Sequence, residues 1–273
     1  MPEQQDPHDA LVAELEQQPV TEVVGVLGPS GMAGASSGQD ACPWILQFIF
    51  AAWKQNGGGI QNRELTVRKP VSKAELNATM GRFEPYDVIR IRARVAEQNS
   101  YGKPQALLDK IIGSDLLAAD LMKRALELQE PVTFEDERFG VFTLDRRVDW
   151  YEAVVSWGST DVRLTLSPHE GEDAKNCLAT ARAIWDLQLV WQERVANYVA
   201  SNLLTLKNDN WLGEDEPELS EEEFKKRLTL NSITVHADGA FEFWYDDGDL
   251  FWGHSIRVSG SLSEGPTFAG IEG

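Results

Sequence analysis

The chain has 273 residues, of which 42% are hydrophobic, so it can bury a substantial core and is long enough for two domains. Its 25 basic and 44 acidic residues give a net charge of −19, which disfavours duplex DNA and anionic membranes and favours a basic protein partner. The two cysteines lack metal-site spacing and no apolar run approaches the roughly 18 residues of a membrane span, so we expect a cytoplasmic protein without a cofactor. Nothing in the sequence indicates an oligomeric state.

The first 40 residues predict a short helix at 9–18, a strand from Thr21 to Leu27 and then a flexible Gly/Ser-rich loop from Gly28 to Asp40. This loop resembles a phosphate-binding loop in composition only. It lacks the Gly-Lys-Ser/Thr ending that places a lysine on the phosphates, so a mobile connection is favoured.

Residues 41–130 predict a small α+β domain. The apolar run from Trp44 to Trp53 is typical of a central strand covered on both faces. Further elements are predicted in the order strand, helix, strand, helix, helix: Glu64–Lys69, a helix capped by Ser72 with Glu75, Val88–Val95, Pro104 to about Ile112, and Ser114 or Asp115 to about Gln129.

Strict alternation in the Val88–Val95 strand turns Arg90, Arg92 and Arg94 outward. Residues 60–110 contain ten basic and six acidic residues, a net charge of +4, which leaves −23 for the rest of the chain. Docking of this arginine row on the acidic part of the chain is favoured over a ligand site. A nucleotide-binding role for the row is a third hypothesis.

Residues 131–273 predict three consecutive strands, a long helix from about Glu172 to Leu206 with a break near Gln188, a helix capped by Ser220, and further strands joined at Asp238-Gly239. We therefore expect an antiparallel sheet, in the order meander, helices, meander, with the helices packed on one face. The whole chain is then α+β in two mixed parts.

The segment from Phe241 to Ser255 predicts a hairpin with a tight turn at Asp247-Gly248, which sets Asp246 opposite Asp249. In this register one face is core and the other is a candidate partner surface. The core face holds Phe241, Phe243, Tyr245, Leu250, Trp252 and His254. The partner surface holds Glu242, Trp244, Asp246, Asp247, Asp249 and Phe251.

The facing carboxylates Asp246 and Asp249 also raise the alternative of a cation site, because oxygen ligands suit a metal such as calcium. Their spacing lacks the alternating pattern of a calcium loop, so solvated turn carboxylates are favoured. His254 is a candidate general base, but a histidine at the core margin is the favoured interpretation. The sequence shows no nucleophile motif.

Four motifs resemble the bacterial family named domain of unknown function 2262, over about residue 42 to the C-terminus. They are Cys42-Pro43-Trp44, Phe139-Gly140 with Leu144-Asp145-Arg146-Arg147, Leu206-Lys207-Asn208-Asp209-Asn210-Trp211, and the Phe243–His254 block. The resemblance implies a bacterial cytoplasmic protein. It implies no catalytic residues, because no activity is attached to the family.

Two functional hypotheses follow. The first is a non-enzymatic acidic interaction module, of the kind that immunity or inhibitor proteins use, with a basic partner on the hairpin surface. The second is a metal-dependent hydrolase that uses Asp246, Asp249 and His254. The absence of catalytic motifs favours the first.

Overall fold

The computed structural model describes residues 7–36, 44–55, 57–99, 102–169 and 171–273. The chain divides into an N-terminal unit, Met1–Glu130, and a C-terminal unit, Pro131–Gly273. The first 40 residues are not a separate part, because the strand at Val20–Ala35 belongs to the sheet of the N-terminal unit.

The described residues of the N-terminal unit form five strands and three helices. In chain order they are α1 (Pro7–Glu16), β1 (Val20–Ala35), β2 (Trp44–Gln55), β3 (Leu65–Val71), α2 (Lys73–Thr79), β4 (Val88–Ala96), β5 (Gln105–Ser114) and α3 (Ala119–Gln129).

The five strands close into a barrel in the order β1-β2-β3-β5-β4. Closure depends on β1, whose residues Val20–Val26 pair with β4 while its length from Val23 to Ala35 pairs with β2. The β1–β2 register shifts between Val26 and Met32, where the strand bends. Strands β3 and β5 are parallel, and α2 lies between β3 and β4 in the chain. This is the topology of an oligonucleotide/oligosaccharide-binding (OB) barrel.

Two predictions for this unit are wrong. The segment predicted as a helix from Pro104 to Ile112 is strand β5, since pairing with β4 and β3 overrides its helix-like pattern. The predicted loop from Gly28 to Asp40 is strand as far as Ala35, and residues 37–40 lie outside the described residues. In this strand Gly34 allows close packing of α2 against the barrel, because a Cβ at this position would lie 2.5 Å from Leu76 Cδ2.

The C-terminal unit, over residues 131–169 and 171–273, is one eight-stranded sheet with three α-helices inserted in its middle. The elements are β6 (Thr133–Asp136), β7 (Gly140–Asp145), β8 (Trp150–Trp157), β9 (Thr160–Leu166), α4 (Leu178–Asp186), α5 (Gln188–Asn210), α6 (Glu221–Arg227), β10 (Thr229–Val235), β11 (Ala240–Asp246), β12 (Ser255–Ser261) and β13 (Gly265–Glu272).

The sheet has its strands in reverse chain order, β13 to β6, as two meanders joined at β9 and β10. The prediction of an antiparallel sheet is wrong at this junction, where Ser232–Val235 run parallel to Arg163–Leu166. Parallel neighbours require a crossover, and helices α4–α6 supply it. The long helix breaks at Leu187, as the sequence predicts near Gln188, and Ser220 and Glu223 form the predicted capping box.

Each unit has its own buried core. Inside the barrel the core consists of side chains such as Phe48, Phe50, Leu65, Ile89 and Ile91. In the C-terminal unit, sheet residues such as Trp157, Leu164 and Phe243 share one cluster with Ile184, Trp191 and Val195 of the helices. The two units are thus α+β with a predominance of sheet.

The barrel interior predicts a test at Gly25. A Cβ built on Gly25 would lie 2.3 Å from Cγ of the buried Phe50, so Gly25→Ala overpacks the barrel and should lower the free energy of unfolding by about 1–3 kcal/mol. Denaturant unfolding measures this. Gly59→Ala is the matched control: no atom lies within 4 Å of its Cβ, so equal destabilisation by both changes would contradict the packing argument.

Candidate functional site

The outer wall of the barrel at β2 and β3 carries a polar pair with apolar neighbours. Gln47 lies opposite Arg68, and the Arg68 Nε donates to Gln47 Oε1 at 2.9 Å. The flanking outward residues Ile45 and Ile49 are only half-buried. The prediction that β2 is covered on both faces is therefore correct only in part: Ala52 is buried in a cluster with Leu121 and Ala125 of α3, whereas the outer face around Gln47 is not fully covered. Thr66 and Arg68, at alternate positions of β3, are the sequence signal that points to this wall.

Trp44 lies at the start of β2, next to the start of α2. The Lys73 Nζ lies 5.7 Å from the centroid of the Trp44 ring, close enough for a cation–π contact. Ser72 caps α2 by accepting a hydrogen bond from the Glu75 backbone N–H at 3.1 Å, which fixes the first turn that carries Lys73. Within the described residues, neither Lys73 nor Arg68 forms an ion pair.

The predicted arginine row lies on the outer face of β4, where its side chains contact other residues of the same unit. Arg90 forms ion pairs with Glu22 at 2.8 Å and with the buried Asp115 at 2.5 Å. The guanidinium of Arg92 is 3.6 Å from Asp109, and Arg94 donates to the backbone carbonyl of Gln18. The row pairs with its own unit, so its charge is largely neutralised where it lies.

The acidic hairpin has a different register from the one predicted. Asp246 pairs with Ser255, Tyr245 with Ile256 and Phe243 with Val258, so the connection runs through eight residues, from Asp247 to His254. The prediction of a two-residue turn with Asp246 opposite Asp249 is wrong. An Asp247–Leu250 backbone hydrogen bond of 3.0 Å closes the first turn, and a second turn precedes His254.

Asp247 is the reason for the longer connection. Its side chain is 1% exposed, and its carboxylate accepts backbone N–H bonds from Phe251 at 2.6 Å and Asp249 at 3.2 Å. In a two-residue turn, such backbone N–H groups would form hydrogen bonds across the hairpin. Here the Asp247 carboxylate accepts those hydrogen bonds instead. Asp247 is structural and does not belong to an exposed acidic tip.

Two aromatic residues of the connection differ in burial from what the sequence predicts. Phe251, placed on the partner surface by the sequence, is fully buried, whereas Trp252, placed in the core, is 67% exposed. Trp211 packs edge-to-face on both, with centroid distances of 5.6 Å to Phe251 and 4.9 Å to Trp252. The His254 ring lies 5.8 Å from Trp211 and is half-buried, in agreement with a histidine at the core margin.

Glu242 and Trp244 belong to an interaction ladder on the sheet. Arg257 forms ion pairs with Glu242 at 3.2 Å and Glu272 at 2.9 Å. The Trp244 indole N–H donates to Glu242 at 3.1 Å, and the Arg257 guanidinium lies 5.9 Å from the Trp244 ring. Of the predicted partner surface, Asp246 and Asp249 alone remain exposed acidic side chains.

A cavity of about 410 Å³ lies beside the connection and is lined by Asp246, Asp247, Asp249, His254 and Trp244 among others. The residues proposed for the hydrolase alternative therefore share one cavity. Within the described residues, however, no group of three or more His, Cys, Asp or Glu side chains is arranged to hold a metal ion.

The motif around Lys207 forms a buried ionic network. Lys207 is fully buried, and its Nζ donates to Glu216 at 2.7 Å and to the Trp211 carbonyl at 2.7 Å. Glu216 also accepts from Arg227 at 2.9 Å, and these bonds, that from Lys207 foremost, lower the Glu216 pKa to about 2. The Asn208 side-chain amide exchanges two hydrogen bonds with the Leu219 backbone.

Two family matches divide the chain where the two units meet. Residues 136–271 match the family described as an uncharacterized protein conserved in bacteria (DUF2262), which confirms the resemblance for the C-terminal unit. Residues 9–128 match a second domain of unknown function (DUF7021), so the Cys42-Pro43-Trp44 motif lies in that family, and Cys42 and Pro43 lie outside the described residues. Among curated proteins, no sequence matches the chain.

Two solved structures are similar to the chain. One is a single-stranded DNA binding protein from Thermus aquaticus, at 12% identity and a TM-score of 0.25, covering 54% of this chain and 72% of that one. The other is a Replication Protein A heterotrimer bound to single-stranded DNA, at 10% identity and a TM-score of 0.29, covering 100% of this chain and 51% of that one. The fold assignment rests on the strand order given above and not on these matches.

The prediction of a basic protein partner, which excluded duplex nucleic acid, is wrong, because the N-terminal barrel has the strand order of a fold that binds oligonucleotides and oligosaccharides. It rested on net charge averaged over the whole chain. The N-terminal unit has 13 basic and 17 acidic residues, a net charge of −4, and the C-terminal unit carries the remaining −15. As for membranes, none of the described helices is both long enough and apolar enough to span a bilayer.

The role of Asp247 predicts a destabilised variant. Asp247→Ala leaves the buried Phe251 N–H without an acceptor, so the free energy of unfolding should fall by about 1–3 kcal/mol. Asp249→Asn is the matched control, since Asp249 is exposed at a φ of 62°, which asparagine tolerates. Chemical denaturation of both variants measures the free energy of unfolding. Loss of stability in Asp249→Asn but not in Asp247→Ala would contradict a structural role for Asp247.

The Lys207–Glu216 pair predicts a pH dependence. The lowered Glu216 pKa means that its stabilising contribution is present above the ordinary value of 4.5 and is lost as the pH falls toward 2. Glu216→Gln leaves Lys207 buried without its counter-charge, which should cost about 3–5 kcal/mol at pH 7. The stability difference from the unmodified protein, measured by urea unfolding, should shrink between pH 5 and pH 2, and a constant difference would contradict the pairing.

Proposed function

We propose that the N-terminal barrel binds a single-stranded nucleic acid along the outer wall formed by β2 and β3. The observation that carries the proposal is the closed strand order β1-β2-β3-β5-β4, with Arg68 on that wall and Trp44 at its end, where the ring packs partly against the barrel core. In barrels of this topology, the face of strands 2 and 3 and the adjoining loops bind oligonucleotides and oligosaccharides.

The wall offers the two kinds of contact that single strands require. Bases stack on aromatic and apolar surfaces, for which Trp44 and the half-buried Ile45 and Ile49 are suited. Phosphates pair with cations, for which Arg68 and Lys73 are suited because they form no ion pair with the described residues. Helix α1 packs against β4 and β5, α2 against β2, and α3 against β1, β2 and β4.

Charge limits the strength of such binding. Arg90 and Arg92 of β4 are already paired with acidic residues, so they add little to the attraction of a phosphate chain. With a net charge of −4 on the unit, long-range attraction is weak and binding depends on local contacts. We therefore expect modest, salt-sensitive affinity for short single strands.

Arg68→Ala tests the proposal. Removing one phosphate contact should weaken binding of a labelled oligothymidine about tenfold and reduce the slope of log affinity against log salt by about 0.7. Fluorescence anisotropy of the full chain across a salt series measures both quantities.

Arg92→Ala is the matched control, since it removes the same charge from β4, where Arg92 faces Asp109. Its affinity and salt slope should match those of the unmodified protein. Equal effects of the two variants would show that only overall charge matters, and absence of binding at low salt would refute the proposal itself.

A further inference from the structure

The C-terminal unit contains a second cavity, of about 360 Å³, which shares Tyr245 in its lining with the cavity beside the hairpin connection. It lies between the β8–β9 turn, helices α5 and α6, and strands β10 and β11. Its volume equals that of about a dozen water molecules in the liquid, which suits a small organic molecule. The residues that matter for binding are Trp157, Gln192, Lys225, Leu228, Leu230 and Tyr245.

Trp157 supplies a buried donor with no partner. Its side chain is 4% exposed, and its Nε1 has no hydrogen-bond partner in the described part of the chain. The ring is held edge-to-face by Trp185 at 4.9 Å and Phe243 at 5.9 Å, whereas the Trp185 indole N–H donates normally to the Ser156 carbonyl at 3.0 Å. An unpaired buried donor costs about 1–3 kcal/mol, which a ligand acceptor in the cavity would recover.

Tyr245 supplies a second donor. It is 5% exposed and shares the core side of β11 with Phe243 by strand alternation, so its side chain lies on the side that α5 and α6 cover. No hydrogen bond to its hydroxyl is formed by the described residues. Burial raises the Tyr245 pKa, so the hydroxyl stays protonated at neutral pH and can donate to an acceptor.

Lys225 adds a cation that a ligand would share with Glu221. It extends from α6, and its Nζ forms an ion pair with Glu221 and a hydrogen bond with Asn197 while its side chain remains 26% exposed. Gln192 of α5 contributes an amide to the same lining, and Leu228 and Leu230 contribute apolar surface. The cavity thus combines donors and a cation with an apolar wall.

We infer that this cavity binds a small aromatic carboxylate. A carboxylate only accepts hydrogen bonds, which matches the Trp157 indole N–H and the Tyr245 hydroxyl, and its charge is opposite to that of Lys225. The ring packs against the two leucines and the Trp157 face. This site is independent of the proposed nucleic-acid wall, because it lies entirely within Pro131–Gly273.

The indole N–H of Trp157 gives a direct readout. In a ¹⁵N-labelled full chain, titration with phenylacetate should shift the Trp157 indole resonance saturably, and titration with the cationic analogue phenethylamine should leave it in place. Trp157→Phe assigns the resonance. Tyr245→Phe, which keeps the ring, should weaken phenylacetate binding about three- to tenfold, the worth of one hydrogen bond.

Lys225→Met should weaken phenylacetate binding about tenfold or more, because it removes the charge-assisted partner. Lys226→Met is its matched control on the same helix: it makes the same charge change, but Lys226 is exposed and does not line the cavity. An indole resonance that phenylacetate leaves unmoved, or equal weakening by the two lysine variants, overturns the inference. Should Trp157→Phe fail to fold, the Tyr245 and Lys225 variants still decide it.

Discussion

The parallel pairing of β9 with β10 is the constraint on which the C-terminal unit depends. Antiparallel neighbours can be joined by a turn, but parallel neighbours need the chain to return to the same end of the sheet. Here the return is made by α4, α5 and α6, and the same helices supply the core side chains that cover Leu164 and Phe243. The cavity near Trp157 exists because this crossover ends beside the β8–β9 turn.

The crossover also explains why a lysine is buried. The chain must leave α5 and reach α6 through a short polar segment, and Lys207 anchors that segment by binding the Glu216 carboxylate and the Trp211 carbonyl. An apolar residue at this position could fill the volume but could not hold the segment's polar groups, which need partners once they are buried. Gly248 fits closely against the same region, since a Cβ there would lie 2.4 Å from the Arg227 carbonyl oxygen.

Sequence patterns predicted the elements whose cause is local and missed those whose cause is tertiary. The helix caps at Ser72 and Ser220 and the break near Gln188 depend on neighbouring residues and were predicted. Strand β5 was not, because its state is decided by pairing with β3 and β4. The hairpin register was missed because the Asp247 carboxylate accepts hydrogen bonds from two backbone N–H groups and so stabilises an eight-residue connection. The amino-acid composition of this segment does not distinguish such a connection from a tight turn.

Net charge misled the functional prediction for a related reason. A formal net charge of −19 does not say where the unpaired charges lie, and Arg90, Arg92 and Lys54 of the barrel are each within ion-pair distance of an acidic residue of their own unit. What a ligand meets is the charge left unpaired on one wall, not the sum over the chain. On the β2–β3 wall Arg68 is left without an ion pair among the described residues, and so is Lys73 at the start of α2, next to the ring of Trp44. The proposed phosphate-binding wall therefore requires no excess of basic residues over the whole chain.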